Sequence, residues 1–426
     1  MDSKFFKIGD IFNVEKGLVQ SSKNVEGQFD FITASSEWKT HNEYSHDCEA
    51  LVFAAGAAGS LGRTHYVNGK FIASDLCFVL TPKDNLIDKV DLKFYFYYFN
   101  LNKDTIVKNT ATGTSKLAIN MKNFINYCIP LPSIEYQKLG RERIEEVEPK
   151  INELDLIFEK NLTYITRLRQ SILQEAVQGK LVPQDPNDEP ASVLLEKIKE
   201  EKERLIKEGK IKKEKPLPPI SEDEIPYELP EGWEWCRLQE AIDVRDGTHD
   251  TPKYVESGGY PLVTGKDFYS GKLEFSQTKY ISKEDYEKII LRSKVDRGDI
   301  LFSMIGGNIG SMVIFEEDIE IAIKNVALFK KYYEGSVDNK YLFYFLKANI
   351  NNIKTLSKGG AQPFVSLNIL RNYLFALPPF EEQKRIVEKV DQLMALCDEL
   401  EKNTEQSKKD SELLMQSVLQ EAFKEA

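Results

Sequence analysis

The octapeptide QSILQEAV at residues 170–177 returns as QSVLQEAF at 416–423, 246 positions later. A short helical string can recur by chance, but a register held over a long stretch cannot. INYCIPLPSIEYQK (125–138) falls on RNYLFALPPFEEQK (371–384) at the same offset, matching Asn126, Tyr127, Leu131, Pro132, Glu135, Gln137 and Lys138. The register continues without a gap through Leu154 on Leu400 to the octapeptide, and reaches upstream to Gly113 on Gly359. Near the start, IGDIFNVEKG (8–17) falls on LQEAIDVRDG (238–247) at an offset of 230, so the second copy carries 16 more residues between the two matches. The chain is therefore a tandem duplication, a mixed domain followed by a helix, written twice.

The helical part of each copy is readable from its period. Ile144, Val147, Ile151, Leu154, Phe158, Asn161, Ile165, Leu168 and Ile172 step by three and four, which predicts a coiled-coil seam with one polar member. The second copy places Val390, Leu393, Cys397, Leu400, Thr404, Ser407, Ser411, Leu414 and Val418 at the matching positions, with a more polar middle. Neither seam can be buried alone, so the two helices are expected to pair antiparallel. From Ile144 to Ile172 the helix spans roughly 42 Å at about 1.5 Å per residue. Pro149 is expected to kink the first helix or start a fresh one.

GKLVPQDPNDEPAS then leaves the helix, with Gly179 placed to cap it. ASVLLEKIKEEKERLIKEGKIKKEKP reads as a charged helix carrying i,i+4 pairs, and PLPPISEDEIPYELPEGWEW as a proline-rich connector. Such a charge run can touch phosphate but is usually a solvated helix face. The expected segmentation is 1–130, a mixed domain; 131–180, the first long helix; 181–230, the charged helix and connector; 231–376, the second mixed domain; and 377–426, the second long helix. Both mixed domains alternate short apolar runs (ALVFAA, DILFSMIG) with aromatic helical stretches (LKFYFYYFNLN, KYLFYFLKANI), an α+β pattern. Those aromatic stripes are expected to be core rather than base-stacking platforms.

The formal charge of −11 is unevenly spread. Residues 1–130 balance at zero and 231–376 carry −1, while 131–230 and 377–426 carry −5 each. Near-neutral domains do not hold nucleic acid by charge alone, although either can present a basic face. No run of about 18 apolar residues suggests a membrane span. The start, MDSKFFKIGD, has no apolar core of a secretory leader. Five scattered cysteines without a C-x-x-C pair fit reduced thiols, so a cytoplasmic location is expected.

A search for chemistry returns near misses. LPPF (377–380) resembles the Asn-Pro-Pro-Phe motif of amino-methyltransferases, but Leu377 has no acceptor for an exocyclic amine. GYPLVTGKD (259–267) resembles a phosphate loop, but the glycine spacing is wrong and Asp267 stands where a magnesium-binding hydroxyl is required. His41, His46, His65 and His249 form no metal-binding pair at helical spacing, and no nucleophile–base–orienter set is found. The chain is expected to catalyse nothing by itself and to hold no metal or cofactor. What remains are polar, glycine-rich loops at matching places in both copies: GAAGSLGRTH (56–65) with GGNIGS (306–311), and TATGTSK (110–116) with SKGGAQP (357–363). The second copy adds DGTHDTPKY (246–254). Glycines let backbone approach a ligand closely, and the polar side chains beside them can reach phosphates and base edges. The candidate contacts are Gly59, Ser60, Arg63, Thr64, Thr112, Thr114 and Lys116 in the first copy. In the second they are Thr248, His249, Lys266, Asn308, Lys324, Lys358 and Gln362.

QSILQEAVQGKLVPQDPNDEPASVLLEKIKEEKERL, ELPEGWEWCRL and LPPFEEQKRIVEKVDQLMALCDELE closely resemble the specificity subunit of Type I DNA restriction-modification enzymes. The likeness covers nearly half the chain and leaves the two mixed domains similar only in layout. It implies two target-recognition domains, each reading one half of a split sequence on double-stranded DNA, separated by two long antiparallel coiled-coil helices. It also implies two docked methyltransferase (modification) subunits that supply S-adenosylmethionine and magnesium chemistry, and a separate restriction or translocase subunit that cuts. The alternatives from the sequence are a self-contained DNA nuclease or methyltransferase, and a coiled-coil adaptor with no DNA role.

Overall fold

The computed structural model describes residues 5–57, 59–113, 117–213, 216–269, 271–359 and 363–424. They form two compact units, one from Met1–Asn161 with Asn403–Ala426, the other from Leu162–Lys402. Both boundaries fall inside the long helices, which run over Ile134–Val177 and Phe380–Phe423, 44 residues each.

The duplication is exact in backbone pairing. In the first unit Phe5–Lys7 pairs antiparallel with Cys128–Pro130, aligning Phe6 with Ile129. In the second, Glu234–Arg237 pairs antiparallel with Leu374–Leu377, aligning Cys236 with Phe375. Adding the two sequence offsets to the first pair reproduces the second. Each domain is thus closed by the strand that enters it and the strand that leaves it for a long helix.

The first domain is built on one six-stranded sheet, ordered Phe12–Lys16, Cys77–Pro82, His46–Ala54, Thr64–Ala73, Phe29–Ile32, Lys39–His41. Ala50 to Ala54 are all fully buried because both faces are covered. One face packs Phe12, Phe53 and Phe78 against the aromatic helix Leu92–Leu101. Phe94, Tyr95 and Phe99 are 0% exposed, so the aromatic stripe is core.

The second domain divides the same task between two four-stranded sheets. One holds Asp243–Asp246, Val326–Lys330, Ile300–Ser303 and Met312–Ile314; the other holds Tyr254–Val255, Lys279–Ile281, Tyr260–Val263 and Ala322–Ile323. The amphipathic helix Lys283–Ser293, capped by Ser282, accounts for most of the extra length of the second copy.

A buried glutamine fixes the start of each long helix. Gln137 accepts from the Asp91 amide at 2.7 Å and donates to the carbonyls of Lys89 and Pro132 at 2.8 and 2.9 Å. Gln383 accepts from the Asp338 amide at 2.8 Å and donates to the Pro378 carbonyl at 3.0 Å. Asp91 and Asp338 are themselves the N-caps of the aromatic helices. One side chain therefore ties the aromatic helix, the closing strand and the long helix together. Beside it, Tyr95 donates to the Pro130 carbonyl and Tyr341 to the Ala376 carbonyl, at 2.7 and 2.8 Å.

The long helices are antiparallel. In the first unit Gly140 lies beside the Ala422 backbone, and Phe423 packs on Phe94 and Tyr98. In the second, Arg169 binds Asp398 and Glu401 at 2.5 and 2.7 Å. No fresh helix begins at Pro149, since the helix runs through it. Proline forfeits one backbone bond, roughly 3 kcal/mol in a helix interior, and burial of Ile144 and Ile151 on either side offsets that cost.

The seam divides into two lines. Ile144, Ile151, Ile165, Ile172, Val390, Cys397 and Ser411 are buried. Val147, Leu393 and Val418 are half-buried. Leu154, Leu168, Leu400 and Leu414 are 40%, 45%, 50% and 53% exposed, contrary to a seam buried on both lines. Each helix buries the heptad position of Ile144 and turns the position of Val147 progressively outward. The polar middle predicted for the second helix includes Ser411, whose buried hydroxyl has no partner among the described residues.

The charged helix Ala191–Lys207 buries Ala191, Leu194 and Ile198 in the second unit and pairs Arg204 with Glu201 and Glu208 on its outer face. The connector is held by Arg237, only 4% exposed. Its guanidinium meets Glu224 through two bonds of 2.9 Å and donates to the carbonyls of Pro218, Pro219 and Asn372.

Replacing Gln383 with leucine leaves the Asp338 amide and Pro378 carbonyl without their partner. We expect a loss of about 1–3 kcal/mol, seen as a lower thermal midpoint of the second unit. The Arg237 guanidinium holds the Glu224 carboxyl down to about 2. A depressed carboxylate stabilises above its unfolded value of about 4.3 and loses that contribution as pH falls. Thermal midpoints of wild type and Glu224→Gln should therefore differ at pH 5 and above and converge between about pH 4 and the folded value.

Candidate nucleic-acid interface

In the second domain, four strand ends converge on one rim. The strand Asp243–Asp246 leads into Gly247, whose amide donates to the Val326 carbonyl, while Thr248 donates to Ile323. A Cβ at Gly247 would lie 2.1 Å from the Ile323 oxygen, so only glycine permits this crossing. Lys324 N–H donates to Val263 at the end of the neighbouring sheet, and Asn325 N–H to Thr248. Asn325 sits at φ 55°, a left-handed conformation that asparagine tolerates better than most residues.

Side chains then knit the rim. His249 Nε2 lies 2.9 Å from Asp246 Oδ2 and its Nδ1 lies 2.9 Å from Asn325 Oδ1. Lys324 Nζ donates to Thr251 Oγ1 at 2.5 Å, and Asn308 Nδ2 donates to the Gly265 carbonyl at 2.9 Å. Lys358 exchanges two backbone bonds with Phe364, which bridges to Ile305. Thr248, His249, Lys266, Asn308, Lys324 and Lys358 are thus brought to linked loops at one edge. Lys266 is exposed, but its loop is a short capped turn. Asp267 is buried there, accepting from Thr264 and Thr278, which accounts for the false phosphate-loop signal.

The first domain repeats the scaffold with different chemistry. Gly17 N–H donates to Cys77, and a Cβ there would lie 2.0 Å from the Ser74 oxygen. The Gly59–Gly62 turn matches Gly306–Gly310, with Gly62 against Lys103 and Val107 and Gly310 against Ile350 and Lys354. Gly59 and Thr112 are exposed, and Ser60 is half-buried. Arg63 is drawn inward, donating to the Ala34 carbonyl at 3.0 Å. Thr64 is 2% exposed and bonded to Asn100, which places it in the domain wall rather than on a loop surface. Thr114, Lys116 and Gln362 lie outside the described residues.

Sequence reasoning missed Leu18, Trp38 and Leu76, which are 68%, 41% and 41% exposed on the corresponding loops of the first domain. Alignment of Gly17 with Gly247 was the available signal for Leu18, opposite Thr248. His41 and His46 serve packing, edge-on to Phe31 and stacked on Phe71 respectively. Among the described residues no cluster of His, Cys, Asp or Glu could hold a metal ion, and no helix is long and apolar enough to cross a membrane.

The model of the Type I restriction modification DNA specificity domain matches residues 1–159 and again 230–408. The chain belongs to that family. The two family matches cover the two closed domains and the first part of the long helix that follows each. Over 270 residues the chain is 39% identical to the Type I restriction enzyme EcoAI specificity subunit of Escherichia coli, a match covering 61% of this chain and 45% of that subunit. The EcoEI specificity subunit of the same species is 35% identical, again over 45% of its length. The chain thus spans about half the length of these curated relatives. Its fold matches the HsdS subunit of Thermoanaerobacter tengcongensis with a TM-score of 0.58 at 19% identity, covering 99% of this chain and 96% of that one.

The two crossing glycines make a direct structural prediction for this specificity-domain scaffold. Gly17→Ala or Gly247→Ala forces a methyl group onto a carbonyl oxygen. Each should cost on the order of 3 kcal/mol, measured by denaturant unfolding.

Proposed function

We propose that this chain is the DNA sequence-recognition subunit of a Type I restriction-modification complex. It binds a bipartite target, with residues 1–130 reading one half and 231–376 the other, and it has no catalytic role of its own. The observation that carries this reading is the doubled scaffold with dissimilar rims. The same closing strands and crossing glycines recur, while the exposed groups change from Leu18, Trp38 and Leu76 to His249, Lys266 and Lys358. A common frame with different hydrogen-bonding groups suits two half-sites of different sequence.

On this reading the partners are double-stranded DNA, two modification subunits and a restriction or translocase subunit. S-adenosylmethionine and magnesium belong to those subunits, and the complex acts in the cytoplasm. The outward line of Leu154, Leu168, Leu400 and Leu414 supplies apolar surface for docking the modification subunits. The helical span of about 42 Å corresponds to roughly 12 base pairs at about 3.4 Å each, and so sets the unread gap between half-sites.

Exchanging residues 1–130 for those of a related chain tests the reading in a cell that also expresses the modification subunits. Sequencing of methylated adenines should show one half of the target replaced and the other retained. An unchanged methylation pattern would contradict it.

A further inference from the structure

In the second unit, a cleft of about 650 Å³ lies between the end of the charged helix and the second domain. Six cations line it: Lys202, Lys210, Lys212, Arg245, Arg292 and Arg371. Only two acids do so, Asp243 and Asp246. This balance is notable in a chain of net charge −11.

The cations are held in place by the fold. Arg371 donates through Nε and Nη2 to the Val244 carbonyl at 2.9 and 2.8 Å. Lys202 donates to the Gln239 carbonyl at 3.1 Å and lies 5.3 Å from the Tyr332 ring centroid. Arg245 pairs with Asp243 at 2.6 Å, and Arg292 pairs with Asp246. The remaining wall is the turn after the charged helix, where Gly209 at φ 71° reverses the chain and presents Lys210 and Lys212. Both lysines are exposed, and Lys210 pairs with Glu208 at 2.8 Å, a partner that phosphate would replace.

The cleft is continuous with the recognition rim. The strand Asp243–Asp246 lines the cleft and leads into Gly247 and His249. Asp246 bonds to Arg292 on the cleft side and to His249 on the rim side. A concave wall in which cations outnumber acids attracts polyanions. Lysine and arginine contacts to phosphate position a protein on a duplex without reading its sequence.

We infer that this cleft takes backbone phosphates flanking the half-site read by the second domain. The inference rests on the proposed DNA-recognition role and adds a sequence-independent contact outside the rims. It also assigns the charged helix a task beyond a solvated face.

The test uses the full chain assembled with its modification subunits, titrated with a duplex carrying its target at several salt concentrations. Each phosphate contact contributes about 0.9 to the slope of log affinity against log salt. The double variant Lys210→Gln/Lys212→Gln should flatten that slope by about 1–2, weaken binding about tenfold at low salt, and leave the methylated sequence unchanged. Lys212→Glu alone should act in the same direction. A wild-type complex that prefers its target, together with variants that keep the full slope, overturns the cleft and leaves the recognition role standing. A wild-type complex with no preference for any sequence overturns both.

Discussion

The architecture depends on a glutamine side chain buried at the point where a domain becomes a helix. Gln137 and Gln383 are both 0% exposed, and each bonds the backbone on two or three sides. An amide carries donors and an acceptor on one rigid plane, so it can satisfy an N-cap amide and a strand-end carbonyl together. Leaving either group unmet in the core would cost about 1–3 kcal/mol. That cost favours one direction of departure for the long helix, and the same solution appears in both copies. A domain fixed rigidly to its helix is a precondition for any account in which helix length carries information.

The parts of this arrangement legible in the sequence were those with a period or a register. The 246-residue offset aligned Gln137 with Gln383, the two domain-to-helix junctions and the two long helices. The three-and-four spacing of Ile144, Ile151, Ile165 and Ile172 identified the buried line. It could not tell that Leu154 and Leu168 turn outward, because a heptad pattern does not state how much of its stripe a partner covers. The fresh helix start expected at Pro149 did not form for a related reason. Local propensity is a weak prior against tertiary packing on both sides of the residue.

The rim loops were legible only in part. Glycine marked the crossings at Gly17 and Gly247 because only glycine tolerates a carbonyl about 2 Å from its missing Cβ. Asn325 and Asp246, which orient His249, gave no signal because their roles depend on contacts between separate strands. Arg63 and Thr64 looked available in a glycine-rich stretch, yet the fold spends them on Ala34 and Asn100. Composition identifies a polar loop; only the fold shows which of its groups are already committed.

The central claim is that one building block is used twice, with paired helices setting the gap between two readers. The most direct measurement deletes one heptad from each long helix and sequences the methylated adenines in cells expressing the modification subunits. Seven residues remove about 10 Å of helix, or roughly three base pairs. The account predicts both half-sites intact with a shorter gap between them. Altered half-sites across an unchanged gap would contradict it.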